Sequence, residues 1–201
     1  MKRRVRKSAE VRRQEIIETT LMLADKVGPD RLTTEMIASE VGLSQPGIFR
    51  HFPKKENIWE AVAMELSRRM RETWENQESE TGKPPLERLR ALVMRHLAMI
   101  ENTPALPAIL FSREMHIENE PLRKCFFSTM GKFHGHLKDL LEEAQENGDL
   151  AAGLPLDDAA WMIIAIIQSL GLRWSLSGHA IDLQGEAGRL IDLQLQGFAG
   201  R

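Results

Sequence analysis

The chain has a single cysteine, Cys125, in 201 residues. No internal disulfide can form, and a reducing, cytoplasmic location is expected. The N-terminus lacks the apolar core of a secretory leader. No uninterrupted apolar run approaches the roughly 20 residues of a membrane span, so no membrane partner is expected. Enzyme motifs are missing as well: there is no nucleophile motif, no phosphate-binding glycine loop and no HExxH. His134 and His136 stand two apart, which on a helix points them in different directions, and His116 with Glu114 and Glu118 reads as a solvated cluster. No catalytic residue, metal or cofactor is therefore expected. No segment alternates over strand length, and there are no repeats or low-complexity tracts.

What is present is ordinary in bulk and uneven in distribution. Hydrophobic residues make up 42% and charged residues 28%, as in common globular proteins. A net charge of -2 argues against indiscriminate nucleic-acid binding by the whole molecule. Residues 1–60 carry 12 Lys/Arg against 9 Asp/Glu, while residues 61–201 carry 15 against 20. A basic front and an acidic rear suit a small part that touches DNA and a larger part that does not.

The stretch from Leu32 to Phe52 reads as two short helices joined by a tight turn. Thr33 is placed as an N-cap, with Glu35 in the first turn where the helix dipole favours an anion. Ile37, Ala38 and Val41 form an apolar face, and Gly42 can take the left-handed conformation that ends a helix. Ser44 caps the second helix. Pro46 has no amide hydrogen, so the Ser44 hydroxyl should accept from Gly47 instead. Ile48 and Phe52 pack this helix inward and leave Gln45, Gly47, Arg50 and His51 outward. The pair makes a helix-turn-helix.

Leu32-Thr33-Thr34, Ile37-Ala38, Val41-Gly42-Leu43-Ser44 and Ile48-Phe49-x-His51-Phe52-Pro53-x-Lys55-Glu56 together resemble the signature of TetR-family transcriptional repressors. The resemblance runs from about Arg12 to about Ala63. It implies a DNA-contacting set of Thr34, Ser44, Gln45, Pro46, Gly47, Phe49, Arg50, His51 and Lys55. Within it, Gln45 and Arg50 are the long donors suited to base edges, adenine and guanine respectively. His51, Lys55 and Thr34 are placed for phosphates, and Gly47 would let the backbone approach DNA closely. Two positions depart from the family pattern. Phe49 stands where a tyrosine usually touches phosphate, and Glu35 stands where some members place a DNA-contacting cation.

Along the chain, Lys2, Arg3, Arg4, Arg6 and Lys7 form a basic arm, which either follows the DNA backbone or minor groove or is a solvated tail. A first helix over 8–27 stops at Gly28-Pro29 and braces the helix-turn-helix. Residues 1–53 form the DNA-binding domain. Residues 54–201 form the effector-binding and dimerisation domain, entered by a fourth helix extending to about Glu80. Further helices are expected from Leu86 to Asn102, from Ala105 to His116, from Asn119 to Asn147, from Pro155 through Leu170 and from Gly185 to Phe198. The fold is all-α, three helices followed by about six.

The helix containing Trp161 to Leu170 is apolar all round, so it should be buried on every side. The family pattern implies a double-stranded, pseudo-palindromic operator and a homodimer through the last two helices, with Ile163, Ile166, Ile167 and Leu190 near the interface. Gln168 inside that helix needs a partner, either its symmetry mate or a ligand. Phe111, Met115, Phe126, Phe127, Trp161 and Gln168 are the candidate ligand-contacting residues. Two functions stand: a dimeric repressor released by a small, mostly apolar effector, or an architectural or partner-binding DNA protein with no small ligand.

Overall fold

The computed structural model describes residues 8–75 and 82–199. The basic arm and the expected end of the fourth helix at Glu80 lie outside those residues. Ser8 opens α1 (Ala9–Val27) by accepting from the Val11 amide, and Gly28 ends it at φ +87°, ahead of a 3-10 turn at Pro29–Arg31. Next come α2 (Thr34–Val41) and α3 (Gln45–Phe49). α1 packs on α2, and α2 on α3. Ile16, Ile37, Ile48 and Phe52 meet in the centre of this head, each 0–1% exposed. Burying each such side chain is worth about 1.5–3 kcal/mol, enough to hold helices this short.

α4 (Lys55–Glu75) leaves the head and runs against α8 (Glu120–Glu146). α5 (Pro85–Glu101) packs on both. The expected helix from Ala105 to His116 is in fact two, α6 (Ala105–Phe111) and α7 (Arg113–Glu118). Ser112 causes the break: its backbone is extended (ψ 110°), and its hydroxyl accepts from Met115 N–H at 3.1 Å while donating to Asp30 at 2.6 Å. Serine competes with helical hydrogen bonding in this way. α9 (Leu156–Leu176) and α10 (Leu183–Phe198) complete the body, α9 packing on α5, α6, α8 and α10.

α9 is not buried on every side. Ile163, Ile164, Ile167 and Leu170 enter the core, but Met162 is 47% exposed, Leu172 39% and Leu176 78%. Ile163 and Ile167 are thus used up in the chain's own core, and the face left for a partner is the opposite one. By length and composition alone α9 could cross a membrane, with a mean hydropathy of 1.4, but in the fold it is a core helix.

Head and body share one continuous core from Ile16 to Phe198. α1 also packs on α6, and Arg69 of α4 donates to both Glu65 and Glu18 of α1. Arg68 donates to the same Glu65 at 2.8–2.9 Å. This pairing, chiefly with Arg68, holds the Glu65 carboxyl down to about 2. α4 is therefore clasped to the head and not hinged freely to it.

Candidate DNA interface and ligand cavity

The turn of the helix-turn-helix forms as its caps require. Thr33 Oγ1 accepts from Met36 N–H at 3.3 Å, Gly42 sits at φ +70°, and Ser44 Oγ accepts from Gly47 N–H at 3.2 Å. α3 spans five residues, with Arg50 as its C-cap still in helical geometry. Arg50 and Phe49 are exposed, as are Ser44 and Pro46, while Gln45, Gly47 and His51 are half-buried. A Cβ added at Gly47 would meet Leu43 and Ser44 at 3.4 Å, an ordinary contact. The chain's own packing therefore does not require glycine there.

Thr34 differs from expectation. It is 6% exposed, because Gln45 lies across it and donates to its hydroxyl at 3.0 Å. In this conformation the Thr34 hydroxyl accepts from Gln45 and donates to Glu35 at 3.4 Å. The Gln45 amide also donates to Glu35. The Glu35 carboxyl is held below the usual carboxylate range by its own backbone amide first and by the Thr33 hydroxyl next, with Lys55 nearby contributing. α2 and α3 are thus joined by the Thr34–Glu35–Gln45 cluster, whose hydrogen bonds use the Gln45 amide nitrogen and not its carbonyl oxygen.

Lys55 is the first residue of α4, whose entry is tied by Lys54 N–H donating to Asn57 Oδ1 at 3.2 Å. Free amides at a helix start plus a lysine suit a phosphate. Arg13 of α1 was not legible as part of this face. Its guanidinium lies 4.2 Å over the Phe52 ring and donates to the His51 carbonyl, which fixes the chain just past α3. The only signal was its place on the polar side of the bracing helix.

Behind the head lies a cavity of about 420 Å³ walled by α4 to α9. That size is typical of small-molecule sites. Phe111, Phe126, Phe127 and Gln168 line it. Met115 and Trp161 do not: Met115 is 3% exposed in the core beneath α7, and Trp161 is 39% exposed on the outside of α9, stacked on His134 at 4.3 Å. Gln168 resolves toward the cavity, with its amide 3.5 Å from the Met130 sulfur.

Sequence reasoning missed His96, Trp74 and Met70 on this wall. A histidine inside the apolar stripe Leu89, Leu92, Val93, Leu97 and Ile100 was the available signal. Thr73 Oγ1 donates to the Met70 carbonyl at 2.7 Å, so its 3.3 Å contact with His96 has the ring Nδ1–H as donor. Burial pushes His96 down to about 4, and the ring stacks on Phe133 at 4.5 Å. It is a neutral, polar side chain beside the apolar rings of Trp74 and Phe133.

Two family models match the chain. The one described as bacterial regulatory proteins, tetR family, covers residues 16–62, and the one described as tetracyclin repressor-like, C-terminal domain, covers residues 85–185. The chain is 32% identical over 133 residues to the nucleoid occlusion factor SlmA of Vibrio campbellii, spanning 66% of this chain and 67% of that one. Its fold matches the fatty acid degradation regulator FadR from Bacillus halodurans with a TM-score of 0.79 at 20% identity, over 98% and 100% of the two chains. It matches FadR from Bacillus subtilis, solved in complex with stearoyl-CoA, with a TM-score of 0.76 at 18% identity, over 92% and 98%. With its capped helix-turn-helix and its helical body both matched, the chain belongs to the TetR family of DNA-binding regulators.

Proposed function

We propose that the chain is a homodimeric, sequence-specific repressor of transcription, acting in the cytoplasm and released from DNA by a small, mostly apolar effector. The observation that carries this reading is the cavity of about 420 Å³, whose wall includes Met70 and Trp74 of α4. α4 is also the helix whose first turn, with Lys55, is proposed to meet the DNA backbone, and its Glu65 is clasped through Arg69 to α1. A ligand that prefers one position of α4 therefore changes the spacing of two heads in a dimer. Equal affinity for both positions would shift nothing.

The dimer reading draws on the exposed apolar side chains of the last two helices. Met162, Leu172 and Leu176 of α9 and Leu193 of α10 are all at least 39% exposed. The α9 members recur at helical spacing along one face. Two heads related by a two-fold axis would read half-sites about 10 base pairs apart, or a multiple of that.

The likeness to a nucleoid occlusion factor favours a second reading, a DNA-bound architectural or partner-binding protein without a small ligand. Its expectation is a filled body, which the cavity opposes. Selection from a random duplex library with the purified chain tests the proposal. A pseudo-palindromic site bound by a species that sediments as a dimer is the expected result. Sequence-indifferent recovery, or binding by a monomer, would overturn it.

A further inference from the structure

The cavity is elongated. Its α8 wall runs from Arg123 to Phe133, about 15 Å of helix. The two ends differ in chemistry. At Phe133 the wall is closed by Trp74, with ring centroids 5.3 Å apart, and by His96. At the other end His116 stands edge-on to Phe126 at 6.2 Å, one turn along α8 from Arg123. Arg123 is a cation, and among the described residues no carboxylate lines the cavity.

Arg123 sits in the first turn of α8, where the helix's own field disfavours a cation. Glu120 does little to offset this. It lies 3.9 Å from Arg123 but 2.8 Å from Lys124, and all three side chains are exposed. His116 supplies the second observation. Its Nε2–H donates to the Leu110 carbonyl at 2.7 Å, so in the neutral ring Nδ1 carries the lone pair. That Nδ1 is buried and has no hydrogen-bond partner among the described residues. Leaving such an atom unsatisfied is costly, and the ring that carries it belongs to the cavity lining.

A carboxyl group satisfies Nδ1 whichever partner holds the proton: the acid O–H donates to the bare nitrogen, or the carboxylate accepts from N–H. An alcohol can pair with Nδ1 in either state as well but brings no negative charge to Arg123, and a hydrocarbon does neither. Arg123 adds a forked donor suited to the same group. We infer that the effector is a long-chain apolar acid, its carboxyl held at the Arg123 and His116 end and its chain running toward Trp74 and Phe133. This inference rests on the effector reading above.

The test compares tetradecanoate, its methyl ester and tetradecanol, below their aggregation limits, by calorimetry on the full chain. The acid is expected to bind at least about tenfold more tightly than the ester or the alcohol. Arg123→Gln and His116→Phe should each remove most of that preference. Arg123 is exposed, so the Gln variant folds and keeps the test valid if the His116 variant does not. Equal affinity of acid, ester and alcohol would overturn the headgroup assignment while leaving a ligand-responsive body intact. An unchanged acid preference in Arg123→Gln would overturn it too. Binding of none of the three overturns the inference, and if no compound of any class raises the melting temperature, the effector reading falls with it.

Discussion

The reading head and the ligand cavity are built from contacts of very different reach. The head's decisive hydrogen bonds join residues three apart, Thr33 to Met36 and Ser44 to Gly47. The cavity wall instead gathers side chains from Met70 to Gly171 on six helices. Local chemistry writes the head's shape, whereas the cavity exists only once the whole body has packed. The head's shape is therefore set within its own short sequence, and the body is the part whose packing the proposed effector would complete.

The sharpest way to break this contrast is at the body's exposed face. Leu172→Glu should leave the fold intact, because the side chain is 39% exposed, yet separate the dimer. Operator affinity should then fall by about 10²–10⁴-fold, since the two heads no longer bind as one unit. Sedimentation and a duplex titration check both parts. A Leu172→Glu dimer with normal affinity would place the interface elsewhere.

Acid should act on the body through His96. Its folded value, about 4, lies below its ordinary value of 6.5. Between these the unfolded chain binds the extra proton, so the stability due to the neutral ring is full above pH 6.5 and is lost as pH falls toward 4. The total is about 3 kcal/mol over that window. Urea melts at pH 7 and pH 4.5 on the wild type and His96→Leu measure it. An identical acid loss in both would assign the effect to other groups.

Those two regions were not equally legible. The caps at Thr33 and Ser44, the left-handed Gly42 and the buried Ile48 and Phe52 followed from residue types at fixed spacing. The break at Ser112 did not, because it depends on Asp30, which lies 82 residues away. For the same reason Met115 and Trp161 were placed in the cavity. Helical spacing tells which residues share a face, and a different helix decides what that face meets. Thr34 shows the same limit within the head, where the side chain of Gln45 covers its hydroxyl.

Smaller changes sharpen the head's half of the comparison. Arg50→Ala should cost about 1–3 kcal/mol per base contact and relax preference at one symmetric pair of positions. Binding to a panel of singly changed duplexes shows whether it does. Lys55→Ala should weaken all duplexes alike and lower the salt slope by about 1. Gly47→Ala should raise helix stability by up to about 1 kcal/mol, since the added methyl makes only ordinary contacts at 3.4 Å. If glycine is there for close approach to DNA, the same variant binds the operator less well.

The central claim is that occupancy of the cavity and occupancy of DNA oppose each other through α4. One titration measures it: a cavity ligand added stepwise while the melting temperature of the free protein and the operator affinity are followed together. The first should rise and the second fall over the same concentration range, because each ligand lowers the affinity for the other by the same factor. A ligand that fills the cavity and stabilises the protein while operator affinity stays constant would contradict it.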